Sequence, residues 1–177
     1  MTGVSTIFAG YARFGGATPR GGRGFLIQQP EHWVFADTQL MWGDSIGTAG
    51  CLAGFEMCGC DVELRNNRFV ATGRHGTPTD TEVLAVAPAH LWRRGESSAL
   101  FDDDGMWDDS IEMVAKILHG DEWTAADVER LSNGWACMVV HEPAGTVFTA
   151  STTEWAYCLE DPVIDRITRN VLDRFLG

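Results

Sequence analysis

The sequence predicts an α/β protein: a layered sheet flanked by helices, with a β-hairpin near the C-terminus. Three observations carry that expectation. Short β-rich apolar runs at 82–87, 135–140 and 146–150 are bounded by Pro, Gly and charged residues. In the tail, Val163, Ile164, Ile167, Val171, Leu172 and Phe175 recur at helical spacing, with Asp165, Arg166, Arg169 and Asp173 between them. Finally, 177 residues of which 45% are apolar suffice for one good core and are too few for two ordinary domains.

Along the chain, residues 1–24 are rich in Gly, with Arg13, Arg20 and Arg23, and read as a loop or short strand. Residues 25–27 and 33–36 are strand candidates separated by Pro30. Residues 37–50 look loop-like, and 51–56 form a further strand candidate. The run at 82–87 is expected to stop at Pro88. Residues 110–119 read as a helix, with Ile111, Val114, Ile117 and Leu118 on one face and Gly120 beyond its end. Thr124 and Asp127 have the spacing of a capping box, opening a helix to about Ser132. The linker 141–145 suits a hairpin between the last two strands. Asp161 then caps a closing helix whose first residue, Pro162, has no N–H to lose. No internal repeat is visible, and a single domain is expected.

A formal charge of −12 argues against nucleic acid and anionic membrane, which bind through phosphate neutralisation by Lys and Arg. Much of the acid lies between Glu96 and Glu129. A calcium loop there fails, because placing Gly105 sixth puts Leu100 first and Ile111 twelfth, where carboxylates are required. No apolar run approaches the roughly 18 residues of a membrane span, and a cytoplasmic protein is expected. Five cysteines, an odd number, are expected as reduced thiols. Cys51, Cys58 and Cys60 lack the paired spacing and the second pair of a zinc site. Seven tryptophans point to core packing, pocket walls or interfaces.

Several residues are chemical candidates. Gly43-Asp44-Ser45-Ile46-Gly47 matches a nucleophile elbow, but no clear strand precedes it and poor helix formers follow, so a glycine-flanked loop is the competing reading. Glu56 lies between Phe55 and Met57, where a desolvated carboxyl would have a raised pKa; a buried structural Glu paired with an Arg is the alternative. His75 lies in the loop 75–80 beside two threonines. His90 with Trp92 could line a pocket; packed or surface histidines are the plainer readings of both. Thr153 and Trp155 belong to a Ser/Thr-rich turn just past a strand, where α/β sheets bind ligands, although Thr153 or Glu154 could equally cap a helical turn. His32 reads as structural and His119 as a cation at a helix end.

The segments Pro30–Ala36 (PEHWVFA), Gly43–Gly47 (GDSIG), Ala53–Glu56 (AGFE), Gly145–Ala156 (GTVFTASTTEWA) and the tail from Asp161-Pro162 occur in an order that resembles a known family. It is the C-terminal domain of the large (β) subunit of N,N-dimethylformamidase, a domain related in fold to class I glutamine amidotransferases. The resemblance implies hydrolysis of small amides with a mononuclear iron held by two Tyr and one Glu. This chain has only Tyr11 and Tyr157, far apart, so the metal ligands are expected upstream, and no metal or cofactor is expected on this chain alone. The resemblance makes Glu56 the catalytic candidate and His75, His90, Trp92, Thr153 and Trp155 pocket residues. It implies a homo-oligomer or the remainder of a larger subunit as partner, and a small amide as ligand. Cys58 stands where the family has Asp, and Asp37-Thr38-Gln39-Leu40 replaces its Gly-Thr-Gly-Leu turn. No cysteine occupies a strand–helix elbow of amidotransferase type. A non-catalytic α/β interaction module and a serine hydrolase using Ser45 are the alternatives.

Overall fold

β8 (Gly134–His141) is the strand on which the rest of the molecule is laid. The computed structural model describes residues 2–11, 24–49, 52–54, 56–89, 111–132, 134–142 and 144–177. His90 and Trp92 lie outside them, as does the run of acidic residues around Asp102. The strands are β1 (Ser5–Tyr11), β2 (Phe25–Ile27), β3 (Ser45–Ile46), β4 (Glu56–Gly59), β5 (Val62–Arg65), β6 (Arg68–Ala71), β7 (Glu82–Ala89), β8 and β9 (Val147–Thr149); the helices are α1 (Ile111–His119), α2 (Ala125–Ser132) and α3 (Pro162–Leu176).

One sheet has the order β1-β4-β8-β7-β2-β3, with β9 also on β8, and β5-β6 form a separate hairpin. Every pairing among the described residues is antiparallel. The fold is therefore mixed α/β as expected, but its sheet lacks the parallel βαβ units for which strand-end ligand rules hold.

Residues of β8 alternate between two cores, as strand geometry requires. Ala136, Met138 and Val140 join Leu84, Phe25, Ile27 and Met57 beneath Ile164, Ile167 and Val171 of α3. Cys137 and Val139 join Val83, Val86 and Cys60 on the opposite face, covered by Val62, Phe69 and Ala71 of the β5–β6 hairpin. α1 and α2 bury Ile111, Val114, Ala115 and Val128 between them. No helix among the described residues is long and apolar enough to cross a membrane.

The capping signals fold as read. Asp161 accepts from Val163 N at 2.9 Å with Pro162 at the helix start. Thr124 N donates to Asp127 Oδ2 at 2.8 Å, and Asp127 N to Thr124 Oγ1 at 3.3 Å. The Thr124 hydroxyl, donating to Asp127 Oδ2 at 2.7 Å, and then the Thr124 N–H hold the Asp127 carboxyl below its ordinary value.

Several readings change: the strand expected at 51–56 begins only at Glu56 and runs to Gly59 as β4, and the short strand β3 lies within the loop-like 37–50. Residues Trp33–Phe35 form a 3-10 turn rather than a strand. His32 Nδ1 accepts from Val34 N, and Asn170 of α3 donates to the carbonyls of Val34 and Ala36, so local capping and a distant helix override β propensity. β7 runs through Pro88, opposite Trp135; among the described residues β2 pairs with β7 only as far as Val86, so the missing N–H falls where β7 has a single described neighbour. The β5–β6 hairpin was not anticipated at all.

Two stability outcomes follow from these contacts. Ile167→Ala should cost about 2–5 kcal/mol in urea unfolding, because the side chain is fully buried under the sheet. His32 has a pKa below its ordinary 6.5, chiefly through burial, with Arg174 adding to the effect and Glu82 and Glu142 opposing it. A depressed folded-state pKa means that the unfolded chain binds the proton more readily. Stability should therefore fall as pH drops below 6.5, and His32→Asn, an uncharged cap, should flatten that slope.

Candidate functional site

β9 and β4 share one edge of β8: Val147, Phe148 and Thr149 pair with His141, Val140 and Val139, while Gly59 pairs with Ala136 further along. The chain leaving β9 therefore runs directly onto β4. Met57 and Thr152 form a bridge, Ser151 O accepts from Cys58 N at 3.2 Å, and Glu56 O accepts from Thr153 N at 3.1 Å. Thr152 Oγ1 donates to Leu52 O at 2.7 Å. Ser151, at φ 63°, is buried with its hydroxyl on Cys137 O, which fixes the sharp corner.

This corner gathers Glu56, Thr153 and Trp155. Thr153 Oγ1 lies 3.4 Å from Glu56 O and 3.2 Å from Glu154 Oε1. Any side chain at residue 54 would collide with Glu154, so Gly54 is what lets that carboxylate lie against the 52–54 segment. Trp155 is an anchor: its indole N–H donates to Thr168 Oγ1 of α3 at 3.0 Å and its ring meets Phe148 edge-on. Tyr11 is paired with Glu56 through the backbone.

Glu56 departs from expectation in one respect: it is exposed. Phe55 and Met57 suggested desolvation, but neighbours on a strand point to the opposite face, and Met57 is the buried one. Ser45 is likewise misplaced for an elbow nucleophile. It lies on the edge strand β3 opposite Leu26, and no helix follows; Gly43 and Gly47 supply left-handed turns at φ 87° and 69°. Cysteine chemistry is also disfavoured. Burial pushes the Cys58 thiol up, with Cys60 adding and a Ser151 hydrogen bond opposing; Cys137 is held well up by Cys60 and by burial.

His75 sits elsewhere. The end of β4, the start of β8 and the α1–α2 pair border a cavity of about 160 Å³ that is partly open to solvent, which His75 lines with Phe8, Asp61, His119, Arg130 and Trp135. Asp61, 6% exposed, accepts from Arg130 Nη2 at 2.7 Å, Arg74 Nε at 2.8 Å and Thr72 Oγ1 at 2.9 Å. His75 adopts φ 54°, and its ring stands 6.0 Å from that of His119, nearly perpendicular. Sequence reasoning missed Asp61, Arg74 and Arg130; only their final proximity marks them. Glu56 opens β4 and Cys60 follows it, so about 13 Å of strand separates cavity from corner, at 3.3 Å for each of the four residues of β4.

The fold is mixed α/β, with an exposed glutamate beside a docked Ser/Thr turn. The chain belongs to the N,N-dimethylformamidase beta subunit-like, C-terminal family, whose model matches residues 2–169. No curated protein and no solved structure matches it. No group of three His, Cys, Asp or Glu among the described residues could hold an ion, and Tyr157, 79% exposed, projects from a surface turn.

The Asp61 cluster makes an asymmetric prediction. Asp61→Ala leaves two half-exposed guanidiniums that reach water, whereas the double change Arg74→Ala and Arg130→Ala strands a buried carboxylate. The double variant should lose about 3–5 kcal/mol at neutral pH, and Asp61→Ala clearly less, measured by urea unfolding.

Proposed function

We propose that this chain is the C-terminal portion of a small-amide hydrolase of the N,N-dimethylformamidase type, with its iron held by sequence outside these 177 residues. The observation that carries the reading is the family match across residues 2–169.

Within that reading Glu56 is the catalytic group. Its backbone is clamped by Thr153 N and its neighbour Met57 by the bridge to Thr152, so the residue is anchored at the start of a strand with its side chain open to solvent. There it can take a proton from the attacking water and return it to the leaving amine. In this reading the Thr153 hydroxyl turns from Glu56 O and Glu154 to hold the amide. A carboxylate open to water becomes a better base once covered, since desolvation disfavours its charged form. The cover belongs to the remainder of the larger subunit or to a second copy.

In the complete protein, Glu56→Gln should lower kcat for small-amide hydrolysis by about 10²–10⁴-fold. Ser45→Ala should leave it unchanged. Full activity in the Glu56→Gln protein, or hydrolysis by the 177-residue chain alone, would overturn the proposal.

A further inference from the structure

We propose that the cavity between the α1–α2 pair and the sheet binds a small aromatic carboxylate, with the ring inside and the carboxylate on Arg130. The inference is independent of the amide-hydrolase reading, because the cavity lies at the other end of β4 from Glu56.

Size and walls set the first requirement. About 160 Å³ is comparable to a cavity of about 150 Å³ that holds benzene. Leu118 and Leu131 from the helices and Val62 and Trp135 from the sheet side give it apolar faces beside the polar ones of Asp61, His75, His119, Asp127 and Arg130. Trp135 is held by Phe69 at 4.5 Å between ring centroids, and Phe8 stands 5.9 Å from the His75 ring. These faces suit a flat ring.

Charge sets the second. Among the described residues, the acids facing the cavity are already engaged. Asp61 takes hydrogen bonds from Arg74, Arg130 and Thr72. Asp127 Oδ2 accepts from Thr124 N and Oγ1, and its Oδ1 faces His119 Nε2 at 3.7 Å. The cations are not used up. Two guanidiniums surround one Asp61 carboxylate, and Arg130 spends only Nη2 on it among the described residues. Asp61 thus holds Arg130 in place while leaving guanidinium N–H groups for a second carboxylate, the acceptor that best matches their planar fork. His75 and His119 add imidazole nitrogens beside it. A ligand cation would instead meet Arg130 at close range, and a neutral amide would forfeit the charge-assisted bond.

The test uses benzoate, benzamide and benzylammonium, titrated into the ¹⁵N-labelled 177-residue chain and followed by NMR shifts of the Trp135 indole and the His119 amide. Benzoate should shift both saturably, benzamide should bind about tenfold or more weakly, and benzylammonium should not bind. Arg130→Gln should weaken benzoate by about tenfold. Because that change also loosens Asp61, His119→Gln is the second variant; it spares both groups and should weaken benzoate severalfold. Equal affinity for benzoate and benzamide, no saturable shift, or shifts mapping away from the cavity would each overturn the proposal.

Discussion

The constraint on which this molecule depends is that β8 is buried on both faces. Residues 136–141 are all buried, so every side chain there needs a packed partner regardless of which way it points. α3 answers one face and the β5–β6 hairpin the other. Burial on both faces also explains the near-continuous apolar run Ala136 to Val140, which an antiparallel strand with one wet face would replace by alternation.

From that strand follow the positions of both chemically notable places. β4 and β9 occupy consecutive stretches of the same edge of β8, so the 151–155 turn is delivered onto the start of β4 beside Glu56. The other end of β4 delivers Asp61 to the gap beneath α1 and α2. The two places therefore share a strand without sharing a residue. Their electrostatics differ accordingly: the corner carries exposed or half-exposed carboxylates, while the cavity holds a buried acid already matched by more than one cation.

What the sequence revealed and what it hid divide along physical lines. The closing helix and both caps were legible, because Asp161-Pro162 and Thr124 with Asp127 act within a few residues of themselves. The β8–β9 hairpin was legible for the same reason. The β5–β6 hairpin had a readable signal that went unused: Asn66 and Asn67, both left-handed at φ 49° and 62°, join two short runs with the spacing of a tight turn. The antiparallel pairing of the sheet was not legible, since strand direction is decided by partners far away in sequence. Glu56 was identified through family motifs, yet its exposure was misjudged because adjacent apolar residues on a strand report on the opposite face. The Asp61 cluster could not be seen at all, for Arg130 reaches it across 69 residues.

The most direct measurement is an experimental structure of the complete protein with a small amide bound. The account requires the amide to sit within hydrogen-bond reach of the Glu56 carboxylate, about 3.2 Å or closer or through one water, with Thr153 alongside and the metal held by residues beyond this chain. An amide seated away from the Glu56–Thr153 corner, or a metal ligated wholly by residues of these 177, would contradict it.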